Sequence, residues 1–494
     1  MDQEASAEEF GDLLWRAVER LRGYVDVPQY KELVLGLVFL RHASAAFDER
    51  RRELTETLFR TGVPEERAAE QLEDPAQYLV WVPQTATWSW IEANARGDNT
   101  GRVLDAAMDA IMQANPSLAG VLPKVFDRPG TVPRQLASLL GLFHHTSYDV
   151  ARGGKLYDDL LGAFARAEGK RSSEFHTPRS LTRLIVDMLE PYQGRVYDPV
   201  CGTAGMLVQA ATSHGYRQLS VYGQDIHIRT WRLARMNLLI HGIDANLSDR
   251  WADTLAADQH PHLQADFVLA HPPFNVKDWP RDVSDPRWVY GVPPAGNANY
   301  AWLQHAISKL TPTGTAAVIL ATGSLNSRNA EAGIRRSLLE ADLVSCIVVL
   351  PPHLFPSTTI PACLWIIDKD KQSRRNQFLF IDAQKSGEMV RKAERVLTDA
   401  DLANIAGTYH AWRGSGQPYE NRPEFCQSAD LEAVRANDYA LTPALYVKPP
   451  PPLMQDLYAI FDGYGFPPRS AAQSTADTTP SNESAITSAP DSSS

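Results

Sequence analysis

From about residue 150 onwards, short β-rich runs alternate with segments of helical periodicity. This alternation predicts an α/β fold, with a doubly wound and mainly parallel sheet. Seven runs are candidate strands: Arg195–Asp198, Leu219–Gln224, Asp266–Ala270, Thr315–Ala321, Val344–Leu350, Cys363–Ile367 and Gln377–Ile381. A predicted helix at Leu181–Leu189 precedes the first of these strands, and predicted helices at Met206–His214 and Ile228–His241 separate the next ones. A sheet of this kind binds its ligands at the carboxyl ends of its strands.

The first third of the chain has a different pattern, which is helical. Apolar residues recur at helical spacing at Leu13, Leu14, Ala17 and Leu21, and again from Tyr30 to Leu40. Residues 74–101 look like a loop, and helical patterns return at Val103–Ala114 and Pro133–Phe143. We therefore predict a helical domain over residues 1–150 and the α/β domain over 151–447. A Pro-rich linker and a disordered tail rich in Ser, Thr and Ala are expected over 448–494.

Composition excludes several classes of protein. The four cysteines lie far apart without a CxxC pair, which argues against a disulfide framework or a thiolate zinc site. No stretch approaches the roughly 18 apolar residues of a membrane span, and the acidic N-terminus does not resemble a signal peptide. We expect a cytoplasmic protein without a membrane partner. A formal net charge of −11 argues against a general nucleic-acid coat but allows a local basic groove.

The strongest local signal is a strand that ends in Asp198 and runs through a small-residue turn into a helix. Gly202 and Gly205 permit backbone angles and a close approach of ligand that a Cβ atom would block. The turn does not contain the GxGxxG pattern of a dinucleotide site. The glycines alone leave open the alternative of a tight βα turn with no ligand.

Two further acids follow predicted elements. Asp225 ends the second strand, about 20 residues after the glycine turn, where a carboxylate can accept hydrogen bonds from both hydroxyls of a ribose. Asp253 follows a third element and is a candidate contact for an adenine amino group. The alternative for both residues is an ordinary surface carboxylate.

His271, Pro272, Pro273 and Phe274 directly follow another predicted strand. Two successive prolines are rigid and lack N–H donors, so their carbonyl groups remain available to accept hydrogen bonds from an amino group. A neighbouring aromatic ring can stack on a planar base, which suits an extruded nucleobase. A rigid turn without a catalytic role is the alternative.

A fourth segment, Glu174–Arg179, precedes a predicted helix. Thr177 is a suitable N-cap residue, and Pro178 suits the first helical turn. Helix capping is therefore the structural alternative to a ligand contact here.

Together these segments resemble the modification subunit of type I restriction-modification systems. The resemblance covers residues 8–447 and includes the helical region around Tyr30-Lys31 and the sequence from Phe164 to Arg171. It implies a Rossmann-like class I methyltransferase fold and transfer of a methyl group from S-adenosyl-L-methionine to N6 of adenine in DNA. It also implies that a separate specificity subunit reads the DNA, with a second modification subunit and a motor-nuclease restriction subunit as further partners.

The resemblance also assigns residues to the cofactor. The segment Glu174, Phe175, His176, Thr177, Pro178 and Arg179 matches the one that packs around the methionine part. Asp198 and the turn Gly202, Thr203, Ala204 and Gly205 match its amino-acid and backbone contacts. Asp225 stands where the family has Glu, Ala204 replaces a common Gly, and His176 replaces an aromatic Tyr or Phe.

His271 is the departure with the largest chemical consequence, because the family motif has Asn or Asp before Pro-Pro. In the implied mechanism, the Asn side chain and a proline carbonyl accept the two hydrogens of the adenine amino group. A neutral His accepts one hydrogen bond through one ring nitrogen, whereas its protonated form accepts none. We consider two versions: His271 substitutes for Asn, or transfer is impaired while cofactor binding and a scaffold role persist.

Other functions fit less well. The missing GxGxxG pattern and the Pro-Pro-Phe loop argue against a nicotinamide or flavin oxidoreductase. A non-catalytic scaffold that only docks a specificity protein is a further alternative, which loss of S-adenosyl-L-methionine binding would favour. No metal site is expected, since no HExxH occurs and the methyl transfer needs none. From the acidic total charge we expect a local basic cleft near His271.

Overall fold

The computed structural model describes residues 14–16, 27–128, 133–144, 148–168, 177–213, 218–355, 358, 360–391 and 394–449. Contacts divide the chain into two units, residues 1–448 and 449–494. Of the predicted tail, only residues 448 and 449 are among the described residues. Glu174, Phe175 and His176 also lie outside the described residues. The division of the first unit at residue 150 remains a prediction.

Helices form most of the region before the sheet and alternate with its early strands. Thirteen α-helices lie within the described residues: α1 (Val27–Arg60), α2 (Glu65–Leu72), α3 (Trp88–Asn94), α4 (Thr100–Ala114), α5 (Pro133–His144), α6 (Val150–Glu168), α7 (Arg179–Leu189), α8 (Gly205–Thr212), α9 (Ile228–Ile240), α10 (Asn299–Lys309), α11 (Ala330–Glu340), α12 (Asp399–Arg413) and α13 (Leu431–Ala436). The interpretation of residues 74–101 as a loop was wrong in part. Helix α3 forms there, capped by the Thr87 hydroxyl, but its seven residues are too few to produce a clear periodicity.

The strands are β1 (Gln193–Asp198), β2 (Gln218–Gly223), β3 (Ala245–Asn246), β4 (Ala265–Ala270), β5 (Leu310–Ala321), β6 (Val344–Val349), β7 (Ala362–Asp368), β8 (Gln377–Asp382), β9 (Glu388–Arg391), β10 (Glu394–Val396) and β11 (Cys426–Asp430). Nine of them form one sheet in the order β11-β8-β6-β7-β5-β4-β1-β2-β3, and β9 pairs with β10. Strands β7 and β11 run antiparallel to their neighbours, whereas the other pairs in the large sheet are parallel. The predicted α/β fold with a mainly parallel sheet is confirmed.

The sheet has an apolar core on each face. Along β5, Ala317 and Ile319 belong to the core that includes helices α1, α4 and α6 to α9. Their neighbours Val318 and Leu320 belong to the opposite core, which includes α10 and α11. This alternation follows from the two-residue period of a strand, and it makes the sheet the middle layer of the α/β domain.

The order of the strands brings the predicted site segments to one edge. Strand β1 pairs in parallel with β2 and β4, so that Asp198 lies opposite Gly223 and Tyr197 lies opposite Val268. The residues that follow these three strands therefore meet at the carboxyl edge of the sheet. Among the described residues, no helix is both long and apolar enough to span a membrane.

Candidate active site

Asp198, the last residue of β1, is fully buried at this edge. Its Oδ1 atom accepts a hydrogen bond of 2.9 Å from the Val200 N–H, whereas Oδ2 has no hydrogen-bond partner among the described residues. Burial raises the pKa of Asp198 to about 8, and the nearby negative charge of Asp225 acts in the same direction. Asp198 therefore has a buried carboxyl oxygen that a ligand donor can satisfy.

The turn between Asp198 and α8 has an unusual backbone conformation, and α8 begins directly after it. Gly202 has φ +56° and Ala204 has φ +65°, both in the left-handed region. Ala204 is fully buried, so the turn is held tightly even where a Cβ is present. The Asn237 amide of α9 donates to the carbonyl of Thr203 at 2.8 Å and fixes the middle of the turn.

Asp225 links this turn to the end of β2. One of its carboxylate oxygens accepts from the Gly202 N–H at 3.1 Å, and the other accepts from the His227 N–H at 2.8 Å. The side chain is mostly buried, and it lines a cleft. Backbone donors on two sides thus orient this carboxylate.

Asp253 lines the same cleft, and its Oδ1 atom accepts from the Leu255 N–H at 2.9 Å. The two residues that follow Asp253 are held by hydrogen bonds from a residue that is distant in the sequence. The Arg287 guanidinium donates to the carbonyls of Thr254 and Leu255 at 3.1 and 2.6 Å, and it is paired with Asp285. Sequence reasoning missed Arg287, since no local motif surrounds it.

His271 directly follows β4 and is 5% exposed. Its Nδ1 atom lies 2.8 Å from the Thr177 hydroxyl oxygen. The imidazole packs between two phenylalanines, with centroid distances of 5.4 Å to Phe274 and 5.1 Å to Phe355. Phe355 follows a different strand, β6, so the sequence around it contained no signal that it would contact this loop.

The Thr177 contact corrects the capping interpretation. Helix α7 begins at Arg179, and the residue in the N-cap position is Pro178 rather than Thr177. The Pro178 carbonyl accepts the first helical bond, from the Thr182 N–H. The Thr177 side chain instead contacts His271, because Pro178 moves the start of the helix one residue further along the chain.

A cleft of about 340 Å³ collects many of these groups. Of the predicted site residues, its lining contains Gly202, Thr203, Asp225, Asp253, His271 and Pro273. The other described site residues are not part of the lining: Asp198, Ala204, Gly205, Pro272, Phe274, Thr177, Pro178 and Arg179. Trp279 and Trp302 also line the cleft, and sequence reasoning missed both.

The charge of the lining is the opposite of what we expected. Its described residues include Lys31 and Lys277 but also Glu168, Asp225, Asp253 and Asp278. The expectation of a basic cleft near His271 was therefore wrong for these residues. An acidic cleft favours a ligand that carries positive charge over one with many phosphates.

The donors and acceptors of the site fit a nucleoside with a cationic end. The unpartnered Oδ2 of Asp198 suits an ammonium group, and Asp225 suits a pair of ribose hydroxyls. The volume of about 340 Å³ lies within the range of small-molecule sites. The arrangement thus agrees with the contacts that the sequence assigned to S-adenosyl-L-methionine.

Comparison with known proteins decides the family. A family model described as "N-6 DNA Methylase" matches residues 149–452, and one described as "HsdM N-terminal domain" matches residues 10–140. The chain belongs to the N-6 DNA methylase family. S-adenosyl-L-methionine is the cofactor of this family, and the predicted resemblance to type I modification subunits is confirmed.

Comparison with individual proteins also shows similarity to type I methylase subunits. The chain is 43% identical to the type I restriction enzyme HindI methylase subunit of Haemophilus influenzae, over 70% of this chain and 82% of that one. It is 34% identical to the MjaIX methylase subunit of Methanocaldococcus jannaschii, over 89% and 84% of the two chains. The crystal structure of a type I methyltransferase subunit from Streptococcus thermophilus superposes with a TM-score of 0.76 at 25% identity, covering 90% of this chain and 100% of that one.

Proposed function

We propose that this chain transfers a methyl group from S-adenosyl-L-methionine to N6 of adenine in DNA, at sequences chosen by a specificity subunit. The observation that carries the proposal is the position of His271. It follows β4 directly, is held by Thr177 and lines the same cleft as Asp225. An acceptor for a substrate amino group and a carboxylate for a ribose are thereby placed in one site.

His271 acts in this proposal as the acceptor that the family obtains from Asn. When Nδ1–H donates to the Thr177 oxygen, the neutral imidazole carries its acceptor lone pair on Nε2. An acceptor oriented in advance draws one hydrogen of the adenine amino group away, and the nitrogen becomes more nucleophilic. Preorganisation of this kind lowers the barrier without any rearrangement during the reaction.

The following residues complete the base site. Pro272 and Pro273 have no N–H groups, so the backbone there offers acceptors without a competing donor. Phe274 packs against His271 and Phe355, and in this proposal its ring stacks on the adenine. The loop is kept rigid where it leaves the site, because Asn275 (φ +56°) exchanges two hydrogen bonds with Asn299.

The remaining predicted residues hold the cofactor, which supplies an electrophilic methyl group when bound. Asp198 binds the amino group, Gly202, Thr203, Ala204 and Gly205 allow close approach, and Asp225 binds the ribose hydroxyls. Asp253 accepts from the adenine amino group of the cofactor. Thr177, Pro178 and Arg179 continue the segment Glu174–His176, which we assign to the methionine part.

For its partners, we propose the assembly that the names of its relatives indicate. Those relatives are methylase subunits of type I restriction enzymes. We propose that the chain joins a specificity subunit, a second copy of itself and DNA, and that a restriction subunit can join this complex. We retain residues 1–150 as the helical domain and 151–447 as the methyltransferase domain.

The experiment measures transfer of labelled methyl groups to DNA by the complex of this chain with a specificity subunit that co-purifies with it. Wild type is compared with His271→Asn, His271→Ala and the exposed control His262→Ala. We expect wild type and the control to be equally active, His271→Asn to be active, and His271→Ala to lose about a hundredfold in kcat. If His271→Asn is active while wild type binds the cofactor but transfers no methyl groups, the chain is instead an impaired methyltransferase with a scaffold role.

A further inference from the structure

The helical region before the sheet contributes a cation to the cofactor cleft. Lys31, in the first turns of α1, lies in the cleft lining although it is 5% exposed. Its Nζ atom is 3.5 Å from Oε1 of Glu168, the last residue of α6, whose side chain is partly buried. None of the roles proposed above uses Lys31 or Glu168.

A third polar group borders the same part of the cleft. Thr230 of α9 lines it and is 3% exposed, and its hydroxyl has no hydrogen-bond partner among the described residues. Helices α1 and α9 are also joined beside this point, by the ion pair of Glu32 with Arg229 at 3.4 Å. Three helices therefore contribute an ammonium, a carboxylate and a hydroxyl to the lining of the cleft.

The charge of Lys31 limits the kind of ligand group that can bind beside it. A buried ammonium is stable only when anions compensate its desolvation, and its three N–H donors allow it to hold a second anion besides Glu168.

The cofactor carries one anionic group, the carboxylate of its methionine part, whereas its adenosine part is neutral. This carboxylate enters a cleft whose described lining holds four acidic side chains. Lys277, the other lysine of the lining, is exposed to water, which weakens its attraction. Lys31 is the buried cation of the described lining and can offset this repulsion.

We infer that Lys31, assisted by the Thr230 hydroxyl, binds the carboxylate of S-adenosyl-L-methionine. Glu168 holds the Lys31 side chain in place when the cleft is empty. The helical domain thereby takes part in cofactor binding as well as in any docking of partners. This inference depends on the family cofactor, and it holds whether or not His271 supports methyl transfer.

The test uses two ligands that differ by this one group, S-adenosyl-L-methionine and its decarboxylated form, and measures binding to the full chain by calorimetry. The variants are Lys31→Met, which keeps the length of the side chain, and the control Lys277→Met. We expect Lys31→Met to weaken binding of the complete cofactor about 10- to 100-fold and binding of the decarboxylated form by less than about threefold. Lys277→Met should change neither affinity by more than about threefold.

Equal losses for the two ligands would overturn the inference, since they would indicate a general structural role, and so would no loss for either. If Lys31→Met does not fold, Lys31→Arg and Thr230→Val replace it. Arg should retain the preference for the carboxylate, and Thr230→Val should reduce it by about three- to tenfold. Because no methyl transfer is measured, failure of the proposed catalytic role would leave this result unaffected.

Discussion

Thr177 and His271 are 94 residues apart in the sequence, and a distance of 2.8 Å separates the hydroxyl oxygen of one from Nδ1 of the other. Thr177 immediately precedes the Pro178 cap of α7, and His271 follows β4. The contact joins the segment assigned to the cofactor with the loop assigned to the base. In the tautomer with a proton on Nδ1, that nitrogen donates to the Thr177 oxygen and Nε2 is the acceptor of the imidazole.

Thr177→Val is expected to reduce kcat for methyl transfer about tenfold, because the lost hydroxyl no longer favours the Nδ1–H tautomer. Thr177→Ser keeps an acceptor and should remain within about threefold of wild type. The affinity for S-adenosyl-L-methionine, measured by calorimetry, should change little in either variant.

A double-mutant cycle separates this effect from general damage to the site. An Asn side chain has no tautomers, so Thr177→Val should cost less than about threefold when His271→Asn is also present. The same tenfold loss in both backgrounds would show that Thr177 acts on the cofactor or the fold rather than through His271.

Asp198 is expected to couple cofactor binding to proton release. Its pKa of about 8, raised by burial, keeps the free carboxyl protonated at pH 6.5, whereas a bound ammonium favours the ionised form. Affinity should therefore rise as the pH increases from 5.5 to 7, by up to about tenfold per unit. Calorimetry at pH 6.5 in buffers of different ionisation enthalpy should detect release of about one proton.

Two controls apply to this experiment. Asp198→Asn cannot release a proton, so its pH dependence should be flatter than that of wild type. 5′-Methylthioadenosine lacks the amino-acid part and should bind without proton release from Asp198. Equal release with both ligands would exclude Asp198 as the source.

Ala204→Gly is expected to leave the free energy of unfolding nearly unchanged. Relief of the left-handed backbone at φ +65° gains about 1–2 kcal/mol, while loss of a buried methyl and the added flexibility of Gly cost a similar amount. Ala210→Gly in α8 loses the same buried methyl without that relief, so it should be less stable by about 1–2 kcal/mol. Equal destabilisation of both variants in urea unfolding would contradict the strain at Ala204.

Arg287→Met is expected to destabilise the protein by about 2–4 kcal/mol, because it leaves Asp285 and the carbonyls of Thr254 and Leu255 without their donor. Affinity for S-adenosyl-L-methionine should fall as well, since Asp253 adjoins the released segment. Arg281→Met is the matched control, because Arg281 is exposed and donates to one carbonyl, that of Pro293. A loss no larger than that of the control, in unfolding and in binding, would contradict this role of Arg287.

Much of the site could be predicted because its signals are local. Asp198, the glycine turn and Asp225 follow two strands in succession, and parallel strands place their carboxyl ends side by side. Thr177 was also identified from its own segment, although its hydroxyl was expected to cap a helix. The partner of that hydroxyl could not be predicted, since a hydrogen bond across 94 residues has no counterpart in local sequence.

By itself, the sequence determined the alternation of strands and helices, the turns that need small residues, and the candidate side chains that stand next to those turns. These features depend on backbone propensities and on the spacing of apolar residues, which act over a few residues. Tertiary structure alone decided that Lys31, Glu168 and Thr230 line the same cleft as Asp225, that Phe355 packs on His271, and that the described lining is acidic. Such contacts depend on how helices and strands pack, and residues far apart in the chain become neighbours only when their apolar faces are buried together.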